Sequence, residues 1–132
     1  MEGETLTRAF IMEVNGQFVV NPPKSVEDDN DRIPSRLGPR TDAAVLKLTD
    51  GYLSSGEYYM GRWVIEPRAL MPMQVFWAKD QQSVQPCQRD GPEEDPQLKT
   101  NGCPFGTSDR EYDLVALLLE GMGRSEIKLH FQ

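Results

Sequence analysis

Apolar and polar residues alternate in short runs along this chain, and turn residues cut the runs repeatedly. Phe10-Ile11-Met12-Glu13-Val14 and Gln17-Phe18-Val19-Val20 are β-prone and separated by Asn15-Gly16. Asn-Gly accepts the positive φ that a two-residue type I′ turn requires, so the segment predicts a β-hairpin. Asn21-Pro22-Pro23 closes its second strand, because proline cannot donate to a ladder. Residues 43–48 predict a third strand, ended by Asp50-Gly51, and residues 57–65 a fourth. Counting by twos in the fourth puts Tyr59, Trp63 and Ile65 on one face with Gly61, and Tyr58, Met60, Arg62 and Val64 on the other. The first set is expected to fill the core and the second to face outward. Residues 73–78 predict a fifth strand. Residues 112–119 and 126–131, separated by Gly121 and Gly123, predict a second hairpin, with a short helix over 112–119 as the alternative.

Seven strand candidates with little helix give a mainly β fold, a small antiparallel barrel (OB-like) or a sandwich. The whole of 1–132 is expected to form one domain, with mobile loops at about 22–42 and 80–111. The first loop carries Glu27-Asp28-Asp29-Asn30-Asp31, but without the central glycine and distal glutamate of an EF-hand. The second carries four prolines and both cysteines. The last residues stop inside a strand pattern, so the natural chain is expected to continue past Gln132.

The net charge of −7 argues against a general polyanion binder, which needs cations against phosphates. No apolar run approaches the roughly 20 residues of a membrane span, and the acidic start lacks the order of a signal peptide. A cytoplasmic location and no membrane partner are therefore expected. Cys87 and Cys103 are read as two reduced thiols pinning a loop, with a disulfide and a zinc site as alternatives. The sole histidine is His130, and no nucleophile or phosphate-loop motif is present, so neither an enzyme nor a cofactor or metal is expected.

One pattern carries chemistry. Tyr52, Tyr58, Tyr59, Arg62, Trp63, Arg68, Trp77 and Lys79 interleave aromatic and basic residues on adjacent predicted strands. Bases stack on aromatic faces while cations meet phosphates, the mixture used by sheets that hold single-stranded nucleic acid. Tyr58, Arg62, Arg68, Trp77 and Lys79 are the expected binding residues.

The opening strand pair, the apolar strand near Val45, the tryptophan-bearing strand, Val84-Gln85-Pro86-Cys87-Gln88-Arg89-Asp90-Gly91 and Asn101-Gly102-Cys103-Pro104-Phe105-Gly106 together resemble a set of tailed-bacteriophage accessory proteins. These are grouped with phage single-stranded-DNA-binding or recombination-associated proteins. Their second element reads Cys-x-x-Cys-Pro, whereas this chain has Thr100 at the first of those positions. The resemblance implies a phage accessory protein acting in the host cytoplasm on single-stranded nucleic acid. The alternative from charge alone is an acidic protein-interaction module, an inhibitor or regulator that meets a basic partner or mimics nucleic acid. A homo-oligomer is compatible with either.

Overall fold

The computed structural model describes residues 5–22, 33–66, 71–92, 96–119 and 121–132. Among them are the strands β1 (Phe10–Val14), β2 (Gln17–Val19), β3 (Ile33–Pro34), β4 (Leu37–Gly38), β5 (Lys47–Thr49), β6 (Tyr52–Ser55) and β7 (Tyr58–Arg62). They continue as β8 (Met73–Ala78), β9 (Cys87–Asp90), β10 (Gln97–Thr100), β11 (Cys103–Gly106), β12 (Val115–Ala116) and β13 (Ile127–Phe131). The only helical pieces among these residues are short 3-10 turns at Arg40–Asp42 and Gln81–Ser83.

The first hairpin forms as expected. Asn15 and Gly16 have φ of 53° and 86°, the two positive values of a type I′ turn. The Asn15 side chain does more than tolerate that conformation. Its Nδ2 donates to Thr107 Oγ1 and the Arg124 carbonyl, each at 2.8 Å, and its Oδ1 accepts from the Glu126 amide at 2.8 Å. The turn is thereby tied to two distant segments. Asn15→Ala should cost about 2–4 kcal/mol, combining left-handed backbone strain with lost hydrogen bonds, as read by denaturant unfolding.

β1 pairs along its whole length with β13, from Phe10 opposite Phe131 to Val14 opposite Ile127. The resulting four-stranded sheet runs β13-β1-β2-β4. The larger sheet runs β5-β6-β7-β8-β12-β11-β10-β9, with β3 also on β8, and it curls strongly into half a barrel. Phe10 and Leu46 exchange both backbone hydrogen bonds, at 3.0 and 2.7 Å, joining the two sheets. Phe10, Met12, Leu46, Leu48, Leu53, Met60, Trp77, Leu98, Phe105 and Leu114 fill the space between them. The expected mainly β barrel or sandwich is therefore present.

Three local expectations are corrected. Residues 80–111 are not one irregular stretch, because they contain β9, β10 and β11 as an antiparallel series. Asn101 and Gly102, with φ of 51° and 79°, make a second Asn-Gly turn between β10 and β11. Residues 112–131 do not form a hairpin: β12 lies between β11 and β8, and β13 lies on β1. Between 22 and 42, residues 33–42 carry β3, β4 and a 3-10 turn, while 23–32 lie outside the described residues.

Candidate interaction surface

The strands β5 to β8 set the faces of the central sheet. On β7, Met60 points into the core beside Leu53 and Trp77, its register partners. Arg62, two residues on, shares that inward face and is 6% exposed. Tyr59 and Trp63 alternate to the outer face and are half-buried, and Ile65 beyond them is 80% exposed. The expected assignment of faces is therefore inverted for Tyr59, Met60, Arg62, Trp63 and Ile65, while Val64 is exposed as expected, and the ion pair that Arg62 makes is what allows its burial.

Arg62 Nε and Nη2 grip the Glu66 carboxylate at 3.1 and 2.6 Å, and Nη1 donates to the Thr100 carbonyl at 3.1 Å. The hydrogen bond to Glu66 raises the guanidinium pKa above its ordinary value, burial opposes this, and contact with Cys103 adds to it. A bidentate carboxylate plus a backbone acceptor is what permits an arginine inside a small barrel. At 6% exposure and held by Glu66 and Thr100, the guanidinium is not presented to a phosphate on the surface.

The other expected binding residues separate accordingly. Trp77 is 1% exposed and belongs to the core. Tyr58 packs against that core, its ring edge-on to Trp77 at 6.4 Å, and Lys79 Nζ lies 6.0 Å from the Tyr58 ring centroid. Tyr58, Trp77 and Lys79 are thus brought together, with Arg62 four positions along β7 from Tyr58. Arg68 lies outside the described residues.

The outer face carries a different set. Strand register aligns Lys47, Ser54 and Tyr59 in one row across β5, β6 and β7, and Thr49 with Tyr52 beside it. Tyr52 and Tyr59 meet edge-on with ring centroids 6.5 Å apart, and Trp63 and Phe76 do the same at 5.8 Å. Val64, Ile65 and Met71 are exposed where β7 and β8 connect. Counting by twos grouped Tyr59, Trp63 and Ile65 correctly, but spacing does not say which group faces the core. Tyr52 belongs to the aromatic and basic pattern of the sequence and Phe76 to its fifth strand, but neither is among the expected binding residues, because alternation does not say which rings lie outside the core.

Six other cations meet carboxylates or rings. Arg124 meets Glu126 at 2.9 Å and Lys99 meets Asp90 at 3.6 Å. Arg36 Nε sits 3.0 Å from Asp113 Oδ1 without a directed hydrogen bond, and Arg110 adds a contact at 3.7 Å. Arg8 lies over Phe131 and Arg40 over Phe18. Lys47 and Lys128 are exposed and carry no partner among the described residues.

Thr100 is the register partner of both Cys87 and Cys103. The cysteines are therefore two strands apart, about 10 Å at the usual strand spacing, beyond the roughly 7 Å Cα separation a disulfide bridges. Neither forms a disulfide, and Cys87 is buried while Cys103 is partly so. His130 belongs to the other sheet and bonds Glu13 at 2.8 Å. Among the described residues no group of three or more His, Cys, Asp or Glu could hold a metal ion, and no helix is long and apolar enough to cross a membrane.

In comparisons with known proteins, no family model, no curated protein and no solved structure matches the chain.

Proposed function

We propose that this chain is an acidic protein-interaction module that docks a partner on the outer face of β5–β8 and the adjoining β7–β8 tip. The observation that carries the reading is the set of partly buried aromatics Tyr52, Tyr59, Trp63 and Phe76 on the side of the sheet opposite the core, together with exposed Val64, Ile65 and Met71 where β7 ends and β8 begins. Aromatic anchors beside aliphatic side chains are the usual centre of a protein interface, and apolar surface of this kind marks interaction sites. The overall charge of −7 around it favours a partner with a basic rim.

A second reading keeps single-stranded nucleic acid as the ligand of an OB-like phage accessory protein. One feature favours it: Lys47 stands in the same row as Tyr59 and beside Tyr52, a cation next to two rings on an exposed sheet face. On this reading the stacking set moves from Tyr58 and Trp77 to Tyr52 and Tyr59.

One pair of measurements separates the two. Ile65→Asp should abolish capture of a defined partner from host extract while leaving the melting curve within about 0.5 kcal/mol of wild type, as expected of an exposed site. Retained capture by Ile65→Asp would refute the docking tip. Fluorescence anisotropy with single-stranded oligonucleotides at two salt concentrations should show no binding; salt-dependent binding lost in Lys47→Ala would transfer the face to nucleic acid.

A further inference from the structure

We infer that Asn101 is a site of spontaneous modification, converting to aspartate and isoaspartate in the folded chain, whereas the equivalent Asn15 is protected. The sequence holds two Asn-Gly pairs, and both form two-residue turns with positive φ. The chemistry needs only water. The Gly102 backbone nitrogen attacks Asn101 Cγ, a new C–N bond forms, and the side-chain amide leaves as ammonia carrying the proton from Gly102 N–H. Water then opens the cyclic imide at either carbonyl, giving aspartate or isoaspartate. Glycine at the second position removes the side chain that would block the approach.

The two turns differ in what holds the asparagine. Asn15 is clamped by three side-chain hydrogen bonds, to Thr107, to Arg124 and from Glu126, and its Cγ cannot swing onto the Gly16 nitrogen until all are broken. Asn101 is exposed, and its side chain makes no hydrogen bond among the described residues. Among the described residues the one hydrogen bond on the reacting nitrogen is that from Gly102 N–H to Gln88 Oε1 at 3.1 Å, supplied by an exposed side chain. The β10–β11 pairing beside the turn spans two register pairs, so local opening there is inexpensive.

The products would be felt nearby. A new carboxylate would enter the surface groove lined by Gln88, Arg89, Asp90, Lys99 and Gly102. Isoaspartate also adds a backbone atom to a turn whose next residue back, Thr100, supplies the carbonyl that Arg62 holds. Ageing at Asn101 therefore weakens the anchoring of the buried ion pair.

The test incubates the full chain in mildly alkaline buffer, with and without denaturant, and follows each Asn-Gly peptide by mass spectrometry and isoaspartate-specific methylation. Unfolded, both sites should convert. Folded, Asn101 should convert faster than Asn15 by roughly a hundredfold, the ratio that three net hydrogen bonds of ordinary strength imply. The aged, isoaspartate-bearing fraction should melt at a lower temperature than the fresh chain, and Asn101→Gln should remove both the conversion and the shift. Equal rates at the two asparagines in the folded chain, or no conversion of Asn101 where the unfolded control converts, would overturn the assignment.

Discussion

Replacing Arg62 with alanine is expected to remove about 3–5 kcal/mol of folding stability, a large share of what a domain of this size possesses. The arginine is almost fully buried, and its loss would leave the mostly buried Glu66 carboxylate and the Thr100 carbonyl without their donor. Most of the penalty is the stranded charge rather than the value of the pair. Removing both partners, as Arg62→Met with Glu66→Gln, should therefore recover much of the loss. Arg62→Lys should not, because a single ammonium cannot span both carboxylate oxygens and also reach Thr100. The arginine pKa is raised in the folded state, so its contribution is fully present below the ordinary value and lost only as pH rises past the raised one. Denaturant melts at neutral pH thus read the intact pair. An Arg62→Ala variant as stable as wild type would show that the side chain faces solvent after all.

Arg62 also marks the limit of what the amino-acid sequence alone makes legible. Turn chemistry was legible: Asn15-Gly16 forces two positive φ values, and the hairpin around it follows from local sterics. The same dipeptide at Asn101-Gly102 makes the same turn, but its flanks, Gln97–Thr100 and Cys103–Gly106, are polar or contain proline, so the hydrophobic pattern conceals them. Strand periodicity sorted β7 into two faces. Which face is buried depends on partners that spacing does not give, here the distant Thr100 carbonyl for Arg62 and the Trp77 of β8 opposite Met60, and a rule that charge faces water gives the wrong answer. The fate of residues 112–131 was likewise non-local. β12 and β13 are separated by a glycine-rich turn region that suggests a hairpin, yet β13 finds β1 from the opposite end of the chain. Glycine also acts at a distance: a Cβ on Gly123 would overlap the Thr107 carbonyl, and one on Gly106 the Arg124 carbonyl, so two glycines permit one backbone crossing. No local pattern announces such a pairing.

The chain's two tryptophans should respond oppositely to truncation. Trp77→Ala is expected to cost about 3–5 kcal/mol, since the indole is fully enclosed, sits opposite Ile33 and Met60 in the sheet, and receives the Tyr58 ring edge. The space left behind is walled by strands on both sides, which limits collapse into it. Trp63→Ala should cost only about 1 kcal/mol, roughly the worth of its edge-to-face contact with Phe76, because the indole is partly exposed and lies outside the core. Fluorescence reads the distinction independently of stability. Iodide should quench part of the wild-type emission, and in Trp63→Ala the remaining emission, from Trp77 alone, should be shielded from iodide and blue-shifted. If the protein with only Trp77 is quenched as readily as free tryptophan, β8 presents its other face to the core and the outer aromatic surface proposed for docking does not exist. If it is shielded, Tyr52, Tyr59, Trp63 and Phe76 are left as the sheet's accessible rings, and any partner of this face must meet them.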